Sequence, residues 1–224
     1  MKTLHSNVGP FAERPFYEGE EIERMGSEEL RAVDLYPAAP EPIRIERFIE
    51  KRFDVRVVYD DVPPGVLGYT RFGRSGVVAV VVSRALCEEG SAAAERRLNT
   101  TLAHEAGHGL LHGHLFILGD APVSLFGADA ERDPATILCR DDAVPIRAET
   151  SVRRYVGRWW EVQANMAIGA LLLPKPLVER SLDSFLERGG AVGVPSLPEA
   201  AREDAIRRVA EVFEVNPVVA RIRL

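Results

Sequence analysis

The 224-residue chain predicts an α+β fold: a small sheet backs one long helix, and a helical region follows at the C-terminal end. Three observations predict it. A helical stripe, Ile45, Phe48, Ile49 and Phe53, precedes three short runs rich in β-branched residues. Those runs lead into a proline-free segment from Ala92 to His114 that can be helical throughout. Beyond Pro174 the apolar residues recur at helical spacing, as in Ile206, Val209, Ala210 and Phe213.

The chain divides into an N-terminal extension (1–40), a core (41–174) and a C-terminal helical region (175–224). The extension is rich in glutamate, aromatic and turn residues, and only Ser27 to Leu35 suggests a short helix. Pro37, Pro40 and Pro42 punctuate the chain before the Ile45–Phe53 stripe begins. Strands are expected over Asp54–Tyr59, Val66–Phe72 and Val77–Val82, with Gly73 to Gly76 forming a hairpin turn between the last two. The exposed edge of that hairpin is expected to accept an extended peptide as an added strand. Ser91 caps the next helix. Residues 115–157 read as irregular. From Arg158 the chain is apolar nearly all round, as in a buried helix, and Pro174 and Pro176 end it.

The long helix carries the chemistry. Four of the five histidines lie between His104 and His114, and His104-Glu105-Ala-Gly-His108 has the form H-E-x-x-H. Residues i and i+4 share a helix face, so both imidazoles can point at one metal ion. Glu105 lies about 100° further round, within reach of a water on that metal but not of the metal itself. Two neutral nitrogens, an adjacent carboxylate and an open position are the parts of a catalytic zinc site. Ala103, Ala106 and Leu110 supply an opposite, packing face. Gly107 and Gly109 each cost the helix about 1 kcal/mol, which points to close contact with a neighbour or substrate.

Several residues compete to be the third ligand. His112 shares the face but stands about 9 Å along the axis from the midpoint of His104 and His108, better placed to orient a ligand than to be one. His114 points elsewhere. Cys139 is a lone cysteine of the kind more often simply buried. Glu161 is favoured, because a carboxylate in so apolar a helix is costly unless it is paired or metal-bound. Its competing reading is a charge at the helix's first turn. Asn165, one turn later on the same face, is positioned to hydrogen-bond a ligand.

These two helices resemble the ImmA/IrrE family of metallopeptidases. The family's H-E-L-G-H-x-L-L-H is matched by His104-Glu-Ala-Gly-His108-Gly-Leu-Leu-His112. Its E-x-E-A-N-x-F-A-x-x-L-L-M-P is matched by Glu161 through Pro174 at equal length. Ala106, Gln163, Ala167 and Leu173 depart from the pattern, and none removes a ligand. The resemblance implies a zincin-like core and a zinc endopeptidase of gluzincin type. It implies His104, His108 and Glu161 as zinc ligands and Glu105 as general base. Tyr155, or an arginine between 140 and 158, is a candidate to stabilise the oxyanion. The implied partner is a protein substrate, a transcriptional repressor of helix-turn-helix type, cut in response to a signal.

Composition fits a cytoplasmic enzyme. The content is 46% hydrophobic, enough for a core. No apolar run approaches the ~20 residues of a membrane span. No secretory signal is evident, and Cys87 and Cys139 are expected as thiols. Phe213 to Ala220 resembles the turn of a helix-turn-helix. A formal charge of −6, with only Arg221 and Arg223 near that turn, argues against direct DNA binding and for a packed helical hairpin. The alternative to a peptidase is a DNA- or protein-binding regulator whose metal site is structural or silent. Intact Glu105 speaks against it.

Overall fold

A computed structural model describes residues 2–5, 13–73, 75–118, 136–140, 159–188 and 195–224. It is an α+β structure. Strands β1 (Lys2–His5) and β2 (Glu13–Phe16) form an antiparallel pair ahead of helix α1 (Gly19–Ala32). The sequence signals only the second half of α1. Its earlier start comes from a capping box in which the Glu21 carboxylate accepts from the Glu18 backbone N–H at 2.9 Å, with Glu18 at the cap position where Ser or Thr is more usual.

The middle of the chain follows the expected order. Helix α2 (Ile45–Phe53) buries Ile45, Phe48 and Ile49 and stops at Asp54, whose φ of 56° is left-handed. Strands β3 (Val57–Asp60), β4 (Val66–Gly73) and β5 (Gly76–Ser83) lie close to the expected runs. A short helix α3 (Arg84–Glu88) precedes α4 (Ala92–Leu118), where the Ser91 hydroxyl accepts from the Ala94 N–H at 3.0 Å. Two features of the segment after His114 differ from expectation: α4 continues to Leu118, and β6 (Thr136–Arg140) adds a strand.

That strand changes the sheet. Its order is β3-β5-β4-β6, with β3 parallel to β5 and the other pairs antiparallel. Both sides of the β4–β5 hairpin are therefore occupied. The hairpin cannot take a peptide as an added strand; the sheet ends instead at β3 and β6. On the covered face of β4, Gly68, Thr70 and Phe72 run along α4 beside Thr101, Glu105 and Gly113.

Helix α5 (Trp159–Leu172) ends as expected near Pro174. The chain then re-enters a helix, α6 (Lys175–Ser181), because Pro176 sits in its first turn, where a missing N–H costs nothing. A two-residue pair, β7 (Glu187–Arg188) with β8 (Pro195–Ser196), leads to α7 (Arg202–Val212) and α8 (Pro217–Arg223). The Asn216 side chain caps α8 by accepting from the Val218 N–H at 3.0 Å. One apolar core joins Leu30 of α1, Phe48 of α2, Val80 of β5, Leu102 of α4, Leu171 of α5 and Ile206 of α7. The N-terminal helix and the C-terminal helices thus share the core of the central segment.

Helices α4 and α5 meet through small residues. A Cβ on Gly107 would lie 2.8 Å from the Ala167 Cβ and 3.1 Å from the Ala164 carbonyl oxygen. On the sheet side, a Cβ on Gly109 would meet the Phe53 ring at 2.6 Å. These glycines carry their propensity cost so that the metal-motif helix can be approached closely from two sides.

Gly107→Ala should destabilise the fold by about 1–3 kcal/mol in urea unfolding, since overpacking against backbone outweighs the gain in helix propensity. Gly113 is the control, because its added Cβ meets only the Phe72 ring at 3.7 Å. Gly113→Ala should gain up to about 1 kcal/mol. A Gly107→Ala variant as stable as Gly113→Ala would mean that the helices do not meet this closely.

Candidate metal centre

The close seam brings the motif face of α4 against the first turn of α5. His104, His108 and Glu161 each offer one ligand atom, and these atoms lie within 4.8 Å of one another. His104 Nε2 is 2.9 Å from His108 Nε2 and 3.1 Å from Glu161 Oε2, while His108 Nε2 is 3.6 Å from that oxygen. His104 and His108 are fully buried and Glu161 is 8% exposed. Glu161 is therefore inside the site, not a solvated charge at a helix start.

Asn165 acts on the histidine. Its side-chain oxygen lies 2.9 Å from His104 Nδ1. That oxygen only accepts, so Nδ1 carries the proton and Nε2 turns a lone pair toward His108 and Glu161. Electron-pair donors gathered at one point repel unless a cation sits among them. Four-coordinate zinc with ligands at about 2.0–2.1 Å would set its ligand atoms about 3.3 Å apart, and the three observed edges bracket that spacing. The donor set and its spacing therefore fit a metal ion.

Glu105 is fully buried beside this group. Thr70, on β4, donates its hydroxyl to Glu105 Oε2 at 2.6 Å and lies 3.1 Å from the Glu105 backbone carbonyl. Glu105 Oε1 has no hydrogen-bond partner among the described residues. A buried carboxylate oxygen left bare is costly, which makes it a place where water or a proton belongs. Burial pushes the Glu105 carboxyl up to about 8, against the pull of His104 and Thr70. Burial acts on Glu161 in the same direction, but His108 and His104 together outweigh it and hold that carboxyl well below the usual range. Burial also lowers His108, and lowers His112 further. Neutral imidazole is the form a metal requires.

His112 stands behind the pair as its spacing suggests, with Nδ1 3.0 Å from His108 Nδ1. Its ring lies edge-on to Trp159, with centroids 5.5 Å apart. Gln163, Trp159 and Thr70 were not singled out from sequence as site residues. Thr70 had a readable signal, as the one polar residue on the covered face of β4. Cys139 lies in β6, where its backbone pairs with Gly68 of β4. Tyr155 and the arginines proposed with it lie outside the described residues.

A cavity of about 1270 Å³ lies along α5 and α8 and reaches the surroundings of this centre only at Asn165, with none of His104, Glu105, His108 or Glu161 in its lining. Asn165 borders it, with Thr100 of α4, Met166 of α5 and Val218, Val219 and Ile222 of α8. Three of these apolar side chains, Met166, Val218 and Ile222, are exposed. The two terminal arginines turn to carboxylates of this same chain. Arg221 bonds Glu203 at 2.6 and 2.7 Å, and Arg223 bonds Glu23.

No helix among the described residues is long and apolar enough to cross a membrane. The chain matches no protein-family model, and no curated protein resembles it significantly.

Purified protein should carry about one transition-metal ion per chain by elemental mass spectrometry, as a three-ligand site predicts. His104→Ala and Glu161→Ala should each lose it. Full metal content in both variants would remove these residues from the ligand set.

Proposed function

We propose that this chain is a zinc-dependent endopeptidase with a zincin-like core, acting on a regulatory protein. The observation that carries the reading is the bare, fully buried Glu105 Oε1 beside three converging donors. A merely structural metal site would have no use for that carboxylate. Two histidines and a carboxylate serve iron(II) as well as zinc, and zinc is chosen here on the H-E-x-x-H spacing with Glu105 beside the donors. His104, His108 and Glu161 would hold the ion. When bound, zinc supplies Lewis-acid chemistry, acidifying a water and polarising a carbonyl oxygen.

The chain's own groups account for the remaining work. Glu105 takes the proton from water as the water attacks the scissile carbonyl, then delivers it to the leaving amine. A carboxyl raised by burial is suited to both directions of that transfer near neutral pH. The Thr70 hydroxyl anchors Oε2 and leaves Oε1 for the exchange. Asn165 keeps His104 in the tautomer that offers Nε2.

The choice of a transcriptional repressor as substrate rests on the family resemblance of the two motifs. Direct DNA binding is disfavoured by the acidic surface and by the carboxylate partners of Arg221 and Arg223.

Glu105→Gln keeps size and can still accept from Thr70, but it cannot take up the proton. It should retain metal and lose at least ~10²-fold in peptide hydrolysis, read by mass spectrometry on a randomised peptide pool and on candidate repressors. Undiminished cleavage by this variant would take Glu105 out of the mechanism.

A further inference from the structure

A chain of hydrogen bonds leads away from the metal centre and ends outside it. His108 Nδ1 lies 3.0 Å from His112 Nδ1, and His112 Nε2 lies 3.0 Å from Gln163 Oε1. Gln163 Nε2 in turn donates to the Pro15 carbonyl oxygen at 2.9 Å. Gln163 and His112 are buried, and Pro15 belongs to β2.

The polarity of this chain can be worked out from both ends. A carbonyl oxygen only accepts, so Pro15 obliges Gln163 to present its NH₂ to β2 and its oxygen to His112. That oxygen also only accepts, so His112 must carry its proton on Nε2. From the other end, His108 can offer Nε2 to a metal only as the tautomer protonated at Nδ1. Its Nδ1–H then needs an acceptor, and the bare Nδ1 of His112 supplies one. The two requirements meet without conflict. Every donor in the chain points away from the metal.

Reversing the Gln163 amide would reverse everything behind it. Its NH₂ would face His112 Nε2, which would have to be bare, and His112 Nδ1–H would then face His108. His108 would accept at Nδ1 and carry its proton on Nε2, the atom needed for the metal. An amide can be turned over in this way, whereas a carboxylate cannot, because it accepts through both oxygens.

We propose that Gln163 is a positioning residue which, oriented by the Pro15 carbonyl, locks His112 and His108 in the metal-binding tautomers and so ties metal affinity to the docking of the N-terminal segment on α5. This rests on the reading of His108 as a metal ligand. Tyr17, two residues after Pro15, packs with Ile22, Leu111, Ala167 and Ala170, and so anchors the segment beside Gln163.

The test measures zinc affinity by chelator competition on full-length protein, with histidine tautomers read by long-range ¹H–¹⁵N NMR on the zinc-loaded wild type. His112 should be protonated at Nε2, and finding its proton on Nδ1 would overturn the relay. Gln163→Leu, which leaves His112 Nε2–H without an acceptor, should weaken zinc binding about 10–100-fold. Gln163→Glu gives up the bond to the Pro15 carbonyl but should restore zinc affinity, because a carboxylate accepts from His112 in either orientation. Tyr17→Ala should weaken zinc binding in the wild-type background and leave the Gln163→Glu background unaffected. Equal losses in both backgrounds would overturn the link to the N-terminal segment, and unchanged affinity in Gln163→Leu would overturn the role of Gln163. Wild-type protein that binds no zinc at all would instead refute the metal reading itself.

Discussion

Two helices can share one metal ion only if their backbones come close enough for short side chains to meet. Here that approach is set by Gly107 on α4 against Ala164 and Ala167 on α5. Along α4 the motif histidines precede and follow Gly107, and Glu161 stands about one turn before Ala164 and nearly two before Ala167 on α5. A larger residue at the seam would separate the donors. The other side of α4 is fixed by Phe53 of α2 and Val77 of β5 against Gly109 and by Thr70 of β4 against Glu105. The metal-motif helix is thus held from both faces, and its ligands inherit that rigidity.

Burial then differentiates the two carboxylates. Both lie in a site largely shielded from water, where the charged form is disfavoured unless it is compensated. Glu161 is compensated by two imidazoles and stays ionised, as a ligand must. Glu105 has one hydroxyl partner, one oxygen without a partner among the described residues, and a raised affinity for a proton. Environments that drive two neighbouring acids in opposite directions leave one ionised and the other with a raised affinity for a proton, the difference the proposed roles require.

The helices and strands nearest the site were legible because their signals are local. The Ile45–Phe53 stripe, the Ser91 and Asn216 caps and the H-E-x-x-H spacing each depend on residues a turn or two apart. Glu161 was legible for a thermodynamic reason, since a charge in an apolar helix needs a partner. What escaped was long-range. Strand β6 is specified by pairing with β4, some seventy positions earlier. The short run Thr136 to Arg140 carries no periodicity long enough to declare it. Gln163 stood out in sequence only as a departure from a family pattern. Its contacts with His112 and Pro15 span 51 and 148 positions, and no spacing rule reaches that far. The extent of α1 was missed because its cap is built from glutamates, which are common at every surface position.

His104, His108 and Glu161 are proposed to converge on one zinc ion. X-ray absorption at the zinc edge of purified protein tests it most directly. The structure predicts a first coordination shell of nitrogen and oxygen at about 2.0–2.1 Å, with the outer-shell signature of two imidazoles and no sulfur. A sulfur neighbour at about 2.3 Å would bring Cys139 into the site and contradict the assignment. So would a zinc shell without imidazole scattering.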